Sequence, residues 1–402
     1  MSFQKPGLWT VVACGAAILS VAIGCRQAMG LFLAPMTLDI GVGREVFGFA
    51  MAVSNIMWGI VAPFGGALAD RYGTGRVVAA GGLLYVLGLI VMGFANSGAD
   101  LIFGSFLIGT GLAGAGFSGV MGAVGRAAPP EKRGMALGIV AAGGSFGQFA
   151  IVPYSETLLT SFGWATALLW LAATAFVMVP LARGVAGYQP SAAAQGRQSL
   201  GAALREAMTH RGFILLTAGF FVCGFQVVFV GTHLPAYLAD KAMPTWLAAW
   251  SLALVGLFNI VGSFGSGMLG DRFRKKNVLS LIYLLRSVVF LVFLAMPLTE
   301  TSTLIFAATL GLLWLGTVPL TSGLVAQIFG PTYMSMLYGV VFLSHQVGSF
   351  FGAWLGGLAY DRLGSYDMMW WISVALGLMA AALHYPIPDR PIQRPILAGA
   401  AA

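Results

Sequence analysis

Long apolar runs alternate with short polar segments along almost the whole chain. A helix that crosses a bilayer needs about 20 consecutive apolar residues, and twelve runs reach that length. They lie at about 9–36, 45–69, 76–95, 101–125, 133–156, 164–183, 212–238, 246–270, 277–297, 302–328, 333–360 and 368–387. The pattern therefore predicts an all-α integral membrane protein with twelve transmembrane helices.

One polar connection is much longer than the others. It runs over residues 184–211 and separates two sets of six spans, at 1–183 and 212–387. Its Pro190 and its alanines are typical of a linker, and the run 204–207 predicts a short amphipathic helix on the membrane surface. Residues 388–402 form a terminal tail, and the prolines from Pro386 onward predict disorder there.

The distribution of charge predicts an orientation. Charged residues make up 8% of the chain, hydrophobic residues 58%, and the net charge is +8. With a cytoplasmic N-terminus, sixteen of the 21 Lys and Arg side chains lie on the cytoplasmic side, which agrees with the positive-inside rule. The basic balance thus indicates topology and not a nucleic-acid partner. We expect a monomer in the cell (inner or plasma) membrane, surrounded by lipid, with linker, tail and both termini in the cytoplasm.

A signature of small, acidic and basic residues occurs twice. Residues 66–76 read Gly-Ala-Leu-Ala-Asp-Arg-Tyr-Gly-Thr-Gly-Arg, and the order small–apolar–small–Asp–Arg returns at 267–276, shifted by 201 residues. This signature resembles the loop between helices 2 and 3 of the major facilitator superfamily of transporters, which is echoed between helices 8 and 9. The resemblance implies two pseudo-symmetric six-helix bundles that transport a solute.

The same resemblance implies a conformational latch in each loop. It assigns this role to Asp70, Arg71, Arg76, Asp271 and Arg272. In the family the acid binds the cytoplasmic start of a helix in the other half. Here Asp70 would contact the start of helix 11 near Tyr333, and Asp271 the start of helix 5 near Lys132.

The internal repeat extends into the spans. Gly24-Cys25-Arg26 with Pro35 in the first span matches Gly224-Phe225-Gln226 with Pro235 in the seventh, at an offset of 200 residues. Two parallel halves with corresponding breaks are typical of secondary transporters whose site lies at the midplane between the halves. The sequence therefore favours a transporter over an enzyme or a scaffold.

Two arginines lie in the middle of spans, while all thirteen acids lie in loops or at span ends. A guanidinium at mid-membrane costs about 2.5–3.5 kcal/mol on insertion scales and usually marks a pathway. Because no acid lies beside Arg26 or Arg286 in the spans, the natural partner is an anionic substrate. Either arginine could instead be satisfied by backbone carbonyls at a helix break or by amide side chains. In the family helix 1 lines the cavity and helix 9 is peripheral, so the resemblance favours Arg26 for the substrate and leaves Arg286 as a candidate or as a structural pin near Tyr283.

Several polar residues fall on helices that line the cavity in this family. With the two arginines, the predicted substrate-binding set comprises Gln148, Gln226, Asn259, His345 and Gln346, and Asn55, Thr317 and Gln327 also lie on these helices. Each alone is more often interhelical glue than a ligand contact. His345 is the best internal candidate to titrate near neutral pH.

A narrower resemblance concerns the substrate. Gly24–Gln27 with Pro35-Met36, His345–Gly348 and residues 356–366 are similar to the prokaryotic monocarboxylate-porter-like group. That resemblance implies a small organic anion, commonly moved with a proton. The Asp and Arg that well-studied porters carry in helix 8 are replaced by Asn259 and Ser263 here. The proton would then travel with the substrate or through His345.

Other functions stay open at this stage. Multidrug efflux is the alternative within the superfamily, although residues 143–148 do not form the Gly-Pro antiporter motif and no span carries an embedded acid. A non-transporting sensor or scaffold would need no midplane arginines. Phosphate loops, paired cysteines, metal-ligand spacings and nucleophile elbows do not occur in the sequence, so we expect neither a cofactor nor a metal nor enzymatic activity.

Overall fold

The structure is a computed structural model that describes residues 6–186, 200–330 and 334–392. Within these ranges it consists of α-helices, one short 3-10 turn at Ala182–Val185 and no β-strand. The helices are α1 (Leu8–Ile40), α2 (Arg44–Tyr72), α3 (Thr74–Gly93), α4 (Gly98–Ala115), α5 (Phe117–Ala127), α6 (Pro130–Phe176), α7 (Met178–Leu181), α8 (Leu200–Thr209), α9 (Arg211–Asp240), α10 (Thr245–Arg272), α11 (Lys275–Ala295), α12 (Glu300–Leu313), α13 (Thr317–Phe329), α14 (Met334–Leu363) and α15 (Asp367–His384).

The helices supply the twelve passes that the hydropathy pattern predicts. In the described ranges, ten segments are long and apolar enough to cross a bilayer. One of them, Glu131–Val185, turns at Gly163, whose φ of +76° is left-handed, and so makes two passes. The 30-residue α14 adds the twelfth. The predicted all-α membrane fold is confirmed.

Two passes contain breaks that the hydropathy pattern did not predict. The fourth pass is divided into α4 and α5 at Gly116, where an added Cβ would lie 2.3 Å from the Leu112 carbonyl oxygen. The tenth is divided into α12 and α13 by residues 314–316. A break frees carbonyl groups that need partners inside a membrane, and the second break matters for the site.

The internal repeat appears as two equivalent close contacts. In the first half a Cβ on Gly147 of α6 would lie 1.9 Å from the Ser20 carbonyl oxygen of α1. In the second half a Cβ on Gly348 of α14 would lie 1.9 Å from the Phe221 carbonyl oxygen of α9. Only glycine permits such a close approach of two backbones. In a bilayer the hydrophobic effect does not drive helices together, so they associate through close packing of this kind. Gly147 and Gly348 lie 201 residues apart, which is the offset of the duplicated loop signature. The pseudo-symmetry of the sequence is therefore also present in the structure.

The end of the chain differs from the prediction. Residues 386–392 are ordered against the C-terminal helices, since Ile387 is fully buried and the Ile392 amide donates to the Ile328 carbonyl at 3.0 Å. The guanidinium of Arg274 also forms a salt bridge with the carboxylate of Asp389, with Nη2 and Oδ1 2.6 Å apart. The predicted disorder is wrong for these residues because prolines do not prevent side chains from docking. Residues 393–402 lie outside the described ranges, as do 187–199 with Pro190.

The helix predicted within the linker is present as α8, and its Ala203 and Ala207 are buried. The boundaries at 183/184, 211/212 and 387/388 stay predictions.

Candidate functional site

Arg26 lies halfway along α1 and directs its guanidinium toward α2. Nη1 donates to the Gln27 side-chain oxygen at 3.1 Å, and Nη2 donates to the side-chain oxygen of Asn55. The guanidinium carbon is 5.2 Å from the centre of the Trp58 ring, within the range of a cation–π contact. All of these partners are neutral, so the positive charge of Arg26 is not balanced by any described carboxylate within bonding distance.

A narrow cavity of about 30 Å³ opens beside Arg26 between α1, α2, α4 and α9. That volume is room for roughly one or two water molecules and is well below the range of about 300–1,000 Å³ of typical sites for small ligands. Arg26 is the one charged residue among the described residues of its lining, which otherwise consists of Gln27, Met29, Gly30, Met51, Ser54, Asn55, Ile108, Val228, Gly231 and Thr232. Seven of these ten residues precede the linker, and the other three, Val228, Gly231 and Thr232, belong to α9. The cavity therefore lies where α9 of the second half meets the first half. Its charge and its largely apolar lining suit one small anion, which can enter only after the lining moves apart.

His345 and Gln346 of α14 connect to this site from the other half. The Gln346 amide nitrogen donates to the main-chain oxygen of Asn55 at 3.1 Å, and its side-chain oxygen lies 3.0 Å from Nδ1 of His345. The His345 ring stacks on Phe342, with centroids 5.7 Å apart and planes 7° apart. Asn55 therefore contacts Arg26 with its side chain and Gln346 with its main chain, and Gln346 in turn contacts a buried histidine.

Gln148 and Asn259 link α6 to α10. The Gln148 amide donates to the Leu252 carbonyl at 2.9 Å, and the Asn259 amide donates to the Ser145 hydroxyl at 2.9 Å. The Asn259 side-chain oxygen also accepts the Leu315 amide at 2.9 Å, at the break between α12 and α13. Both side chains are buried and serve here as interhelical bonds, so their predicted role toward substrate stays a prediction.

Arg286 of α11 is 1% exposed and its contacts all lie in the second half. Nε and Nη2 donate to the Leu313 carbonyl at 3.0 and 2.7 Å, and Nη2 also donates to the Trp314 carbonyl. Nη1 donates to the side-chain oxygen of Gln226 at 3.3 Å. These are the carbonyls freed where α12 ends, so the arrangement is that of the structural pin considered above. Gln226, the repeat partner of Arg26, supports this pin instead of facing the cavity beside Arg26.

The two halves contact each other at one end of the molecule, here called the closed end and defined by Gly30, Arg44, Gly231, Asp240 and Asp361. The carboxylate of Asp361 accepts the amides of Arg44 and Glu45 at 3.1 and 2.7 Å, and so caps the first turn of α2 from α14. The Arg44 guanidinium binds both oxygens of Asp240 at 2.6 and 2.7 Å. Carboxylates are favourable at a helix N-terminus because of the exposed amides and the helix dipole. This cluster was not predicted from the sequence, although one basic and two acidic residues at the same ends of three spans were a usable signal.

At the opposite end, here called the open end, the same helix faces separate. Gly66 lies seven residues after Gly59, which packs against Gln346, and Gly339 lies seven residues before Gln346. Seven residues are two helical turns, which return to the same face. Yet a Cβ on Gly66 or Gly339 would meet no described atom within 4 Å.

The pair α6 and α10 repeats this divergence. Gly138 lies seven residues before Ser145, and Gly267 lies eight residues after Asn259, so both continue the contacting faces. Both have open space at the Cβ position among the described atoms. The two halves are therefore joined at the closed end and apart at the open end.

The predicted latch residues lie at the open end. Arg71, Arg76 and Arg272 are exposed, and the Asp271 carboxylate has no described contact with α6 near Lys132. The side chain of Asp70 and the predicted partner region at Tyr333 lie outside the described residues. The latch roles stay predictions.

Three comparisons with known proteins add to this geometry. A family model described as Major Facilitator Superfamily matches residues 12–318 of the chain. Monocarboxylate transporter 11 of Mus musculus is similar at 25% identity over 396 residues, which cover 94% of this chain and 87% of that protein. The oxalate:formate antiporter of Oxalobacter formigenes is similar at 25% identity over 413 residues, which cover 97% of this chain and 96% of that protein.

The fold is also that of a solved transporter. The crystal structure of a D-xylose-proton symporter resembles this one with a TM-score of 0.74 and 16% sequence identity, over 96% of this chain and 99% of that chain. At such low identity the likeness concerns the fold alone.

Proposed function

Because the chain belongs to the Major Facilitator Superfamily, we propose that it moves a small organic anion of the monocarboxylate kind across the membrane by alternating access. The observation that carries this proposal is the guanidinium of Arg26, which faces a cavity between the halves and is held by neutral amides only. A carboxylate can bind both terminal nitrogens of a guanidinium at once, and this bidentate contact is among the strongest hydrogen-bonded pairs. The names of the relatives, which refer to monocarboxylates, oxalate and formate, support the same substrate class.

The protein is a transporter and not an enzyme, as the sequence predicted, and its two ends support an alternating mechanism. To open the cavity on the side of the closed end, the bonds of Arg44 to Asp240 and of Asp361 to α2 must break. To close the open end, α6 must approach α10 and α2 must approach α14. We assign Asp70 and Asp271 to latching that second state, which fits an Asp271 carboxylate without a described contact here.

Proton coupling is a further part of the proposal. The described spans hold no carboxylate at mid-membrane, and His345 is a buried titratable group that connects to Arg26 through Gln346 and Asn55. A proton on His345 would meet the side-chain oxygen of Gln346, which can accept it in a hydrogen bond. Replacement His345→Gln keeps a polar side chain and removes the imidazole that would carry the proton, so uptake should lose its dependence on an imposed pH gradient. Uptake that still follows the gradient would assign the proton to the substrate.

Multidrug efflux receives less support from the site. A cationic drug would meet the unbalanced charge of Arg26 in a cavity that offers no described acid. A small anion meets an attractive charge in the same place.

We also propose that the closed end faces the outside, with both termini cytoplasmic, in a monomer in the inner or plasma membrane. This orientation follows the positive-inside expectation, because the latch loops and the linker then lie inside. A cysteine placed in the 184–211 linker should be labelled only after the membrane is opened. Labelling by an impermeant reagent on intact cells would reverse the orientation.

The experiment that tests the main proposal measures binding and transport by the purified protein. Thermal stabilisation against a panel of formate, acetate, lactate, pyruvate and oxalate, with neutral and cationic solutes of similar size, identifies the ligand class. Saturable uptake of the best labelled carboxylate into proteoliposomes should follow. Stabilisation by cations, with none by carboxylates, would overturn the proposal.

A further inference from the structure

The hydrogen bonds of the Arg26 guanidinium resemble those that it would make to a bound carboxylate. Nη1 carries one oxygen, from the Gln27 amide at 3.1 Å, and Nη2 carries another, from the Asn55 amide. A carboxylate that binds end-on presents one oxygen to each of these same two nitrogens. The two amide oxygens therefore bind the same two nitrogens that a substrate carboxylate would bind.

The orientation of the Asn55 amide is fixed by a second contact. Its nitrogen donates to the main-chain oxygen of Met51 at 2.7 Å, so its oxygen is left to face Arg26, which can only donate. Asn55 is 4% exposed and Gln27 is 8% exposed. Both amides are therefore buried parts of the cavity wall.

We propose that Gln27 and Asn55 hold the guanidinium of Arg26 while the carrier is empty, and that this lets the empty carrier complete its conformational change. The inference rests on the proposed function, in which Arg26 binds the carboxylate of the substrate. Its consequence is net transport in addition to exchange, because a carrier that can return empty is not confined to swapping one substrate for another.

The physical reason is the occluded state between the two open forms. Closing the cavity removes water from Arg26, and a desolvated charge without hydrogen-bond partners is strongly unfavourable. In the loaded carrier the substrate supplies those partners. In the empty carrier the two amide oxygens supply them, at lower strength because amides carry no charge. The amides consequently affect the empty step more than the loaded step.

The link between the halves can be separated from this role. Asn55 accepts the amide of Gln346 with its main-chain oxygen, and it binds Arg26 with its side chain. Replacing the side chain therefore removes the contact with Arg26 and retains the acceptor for the other half. Asn55→Ala is the direct test for this reason.

The test compares two fluxes of one labelled carboxylate, lactate or whichever acid of the panel stabilises the protein best, in proteoliposomes at equal pH on both sides and with the membrane potential held at zero. Counterflow with the acid on both sides uses the loaded steps only, whereas efflux into acid-free buffer requires the empty return. Asn55→Ala should lower net efflux about tenfold, which corresponds to about 1.4 kcal/mol, and should change counterflow less than about twofold. Ser105→Ala, which removes a buried hydroxyl of α4 that faces the Met92 sulfur and lies outside the cavity lining, is the control and should change neither flux.

Gln27→Met provides a second variant, since it removes the oxygen at Nη1 and keeps the side-chain volume. It should lower the ratio of net efflux to counterflow in the same direction. The inference is overturned if both variants reduce the two fluxes equally, or if the wild-type protein performs counterflow without net efflux. Either result leaves the proposed function standing, whereas an absence of carboxylate counterflow in the wild-type protein removes both.

Discussion

Arg26 and Arg286 are both guanidinium groups within membrane-spanning helices, yet their surroundings differ in kind. Arg286 donates to two main-chain carbonyls at the break between α12 and α13 and is almost completely buried. Arg26 donates to two side-chain amides and borders a cavity. Carbonyls at a helix break are permanent partners that the fold itself must satisfy, whereas amides can be displaced by a stronger acceptor. The comparison teaches that a charge in a membrane indicates a ligand only when its partners are replaceable.

The largest expected effect comes from removing the charge beside the cavity. Arg26→Gln should lower carboxylate affinity tenfold to a hundredfold, because a buried charge-assisted contact is worth about 1.5–3 kcal/mol. Arg26→Lys keeps the charge but loses the bidentate contact, so its carboxylate affinity should lie between those of the wild-type protein and Arg26→Gln. Binding to purified variants, measured by calorimetry, checks both. If Arg26→Gln binds as the wild-type protein does and Arg286→Gln does not, the roles of the two arginines are reversed.

The matched change in the second half should act on stability instead. Arg286→Gln leaves the carbonyls of Leu313 and Trp314 without their donor, at a cost of about 2 kcal/mol for lost bonds to a charged group. We expect a lower thermal transition in detergent and lower expression, with carboxylate affinity within about twofold of wild type. A variant as stable as the wild-type protein but unable to bind would contradict the pin.

The sequence predicted the fold and the positions of the two arginines better than it predicted the difference between their surroundings. Hydropathy, the duplicated loop and the repeat of residues 24–26 at 224–226 were sufficient for the fold, because membrane helices must satisfy their own backbone and pack through small residues. The charge count was sufficient to single out Arg26 and Arg286. It did not separate them, because the break after Leu313 has no proline at the break itself and a hydropathy window does not detect it.

Other parts of the site depend on the approach of distant segments. Gln27 directly follows Arg26, and Trp58 lies three residues after Asn55. Only the packing of α1 on α2 shows that Trp58 contacts Arg26. The closed end joins residues from α2, α9 and α14, and no local pattern couples such positions. Sequence periodicity gives the face of a helix but not its partner.

A carboxylate placed next to each arginine sharpens the comparison. Gln27→Glu puts a permanent anion beside Arg26 and should lower substrate affinity about tenfold, since the added acid competes for the same nitrogens. Gln226→Glu puts the same group beside Arg286 and should leave affinity within about twofold. Binding of the best carboxylate from the panel at pH 7.5 measures both. Equal losses in the two variants would mean that Arg286 also faces the substrate.

Arg274 supplies the third case, a guanidinium whose partner is already a carboxylate, and here the smallest effect is expected. Its hydrogen bonds lower the pKa of Asp389 below the ordinary value, which is about 3.9 for an aspartate. The folded state therefore favours the ionised acid, so the contribution of the pair is complete above the unfolded pKa and is lost only as the pH falls through the lowered value. Hydrogen exchange at 386–392 should be independent of this pair between pH 5 and pH 8, once corrected for intrinsic rates. Asp389→Asn should accelerate that exchange by up to about fivefold, or about 1 kcal/mol, with Glu300→Gln at the far end of α12 as the unaffected control. Protection that declines from pH 8 to pH 5 in the wild-type protein would show that another group holds the tail.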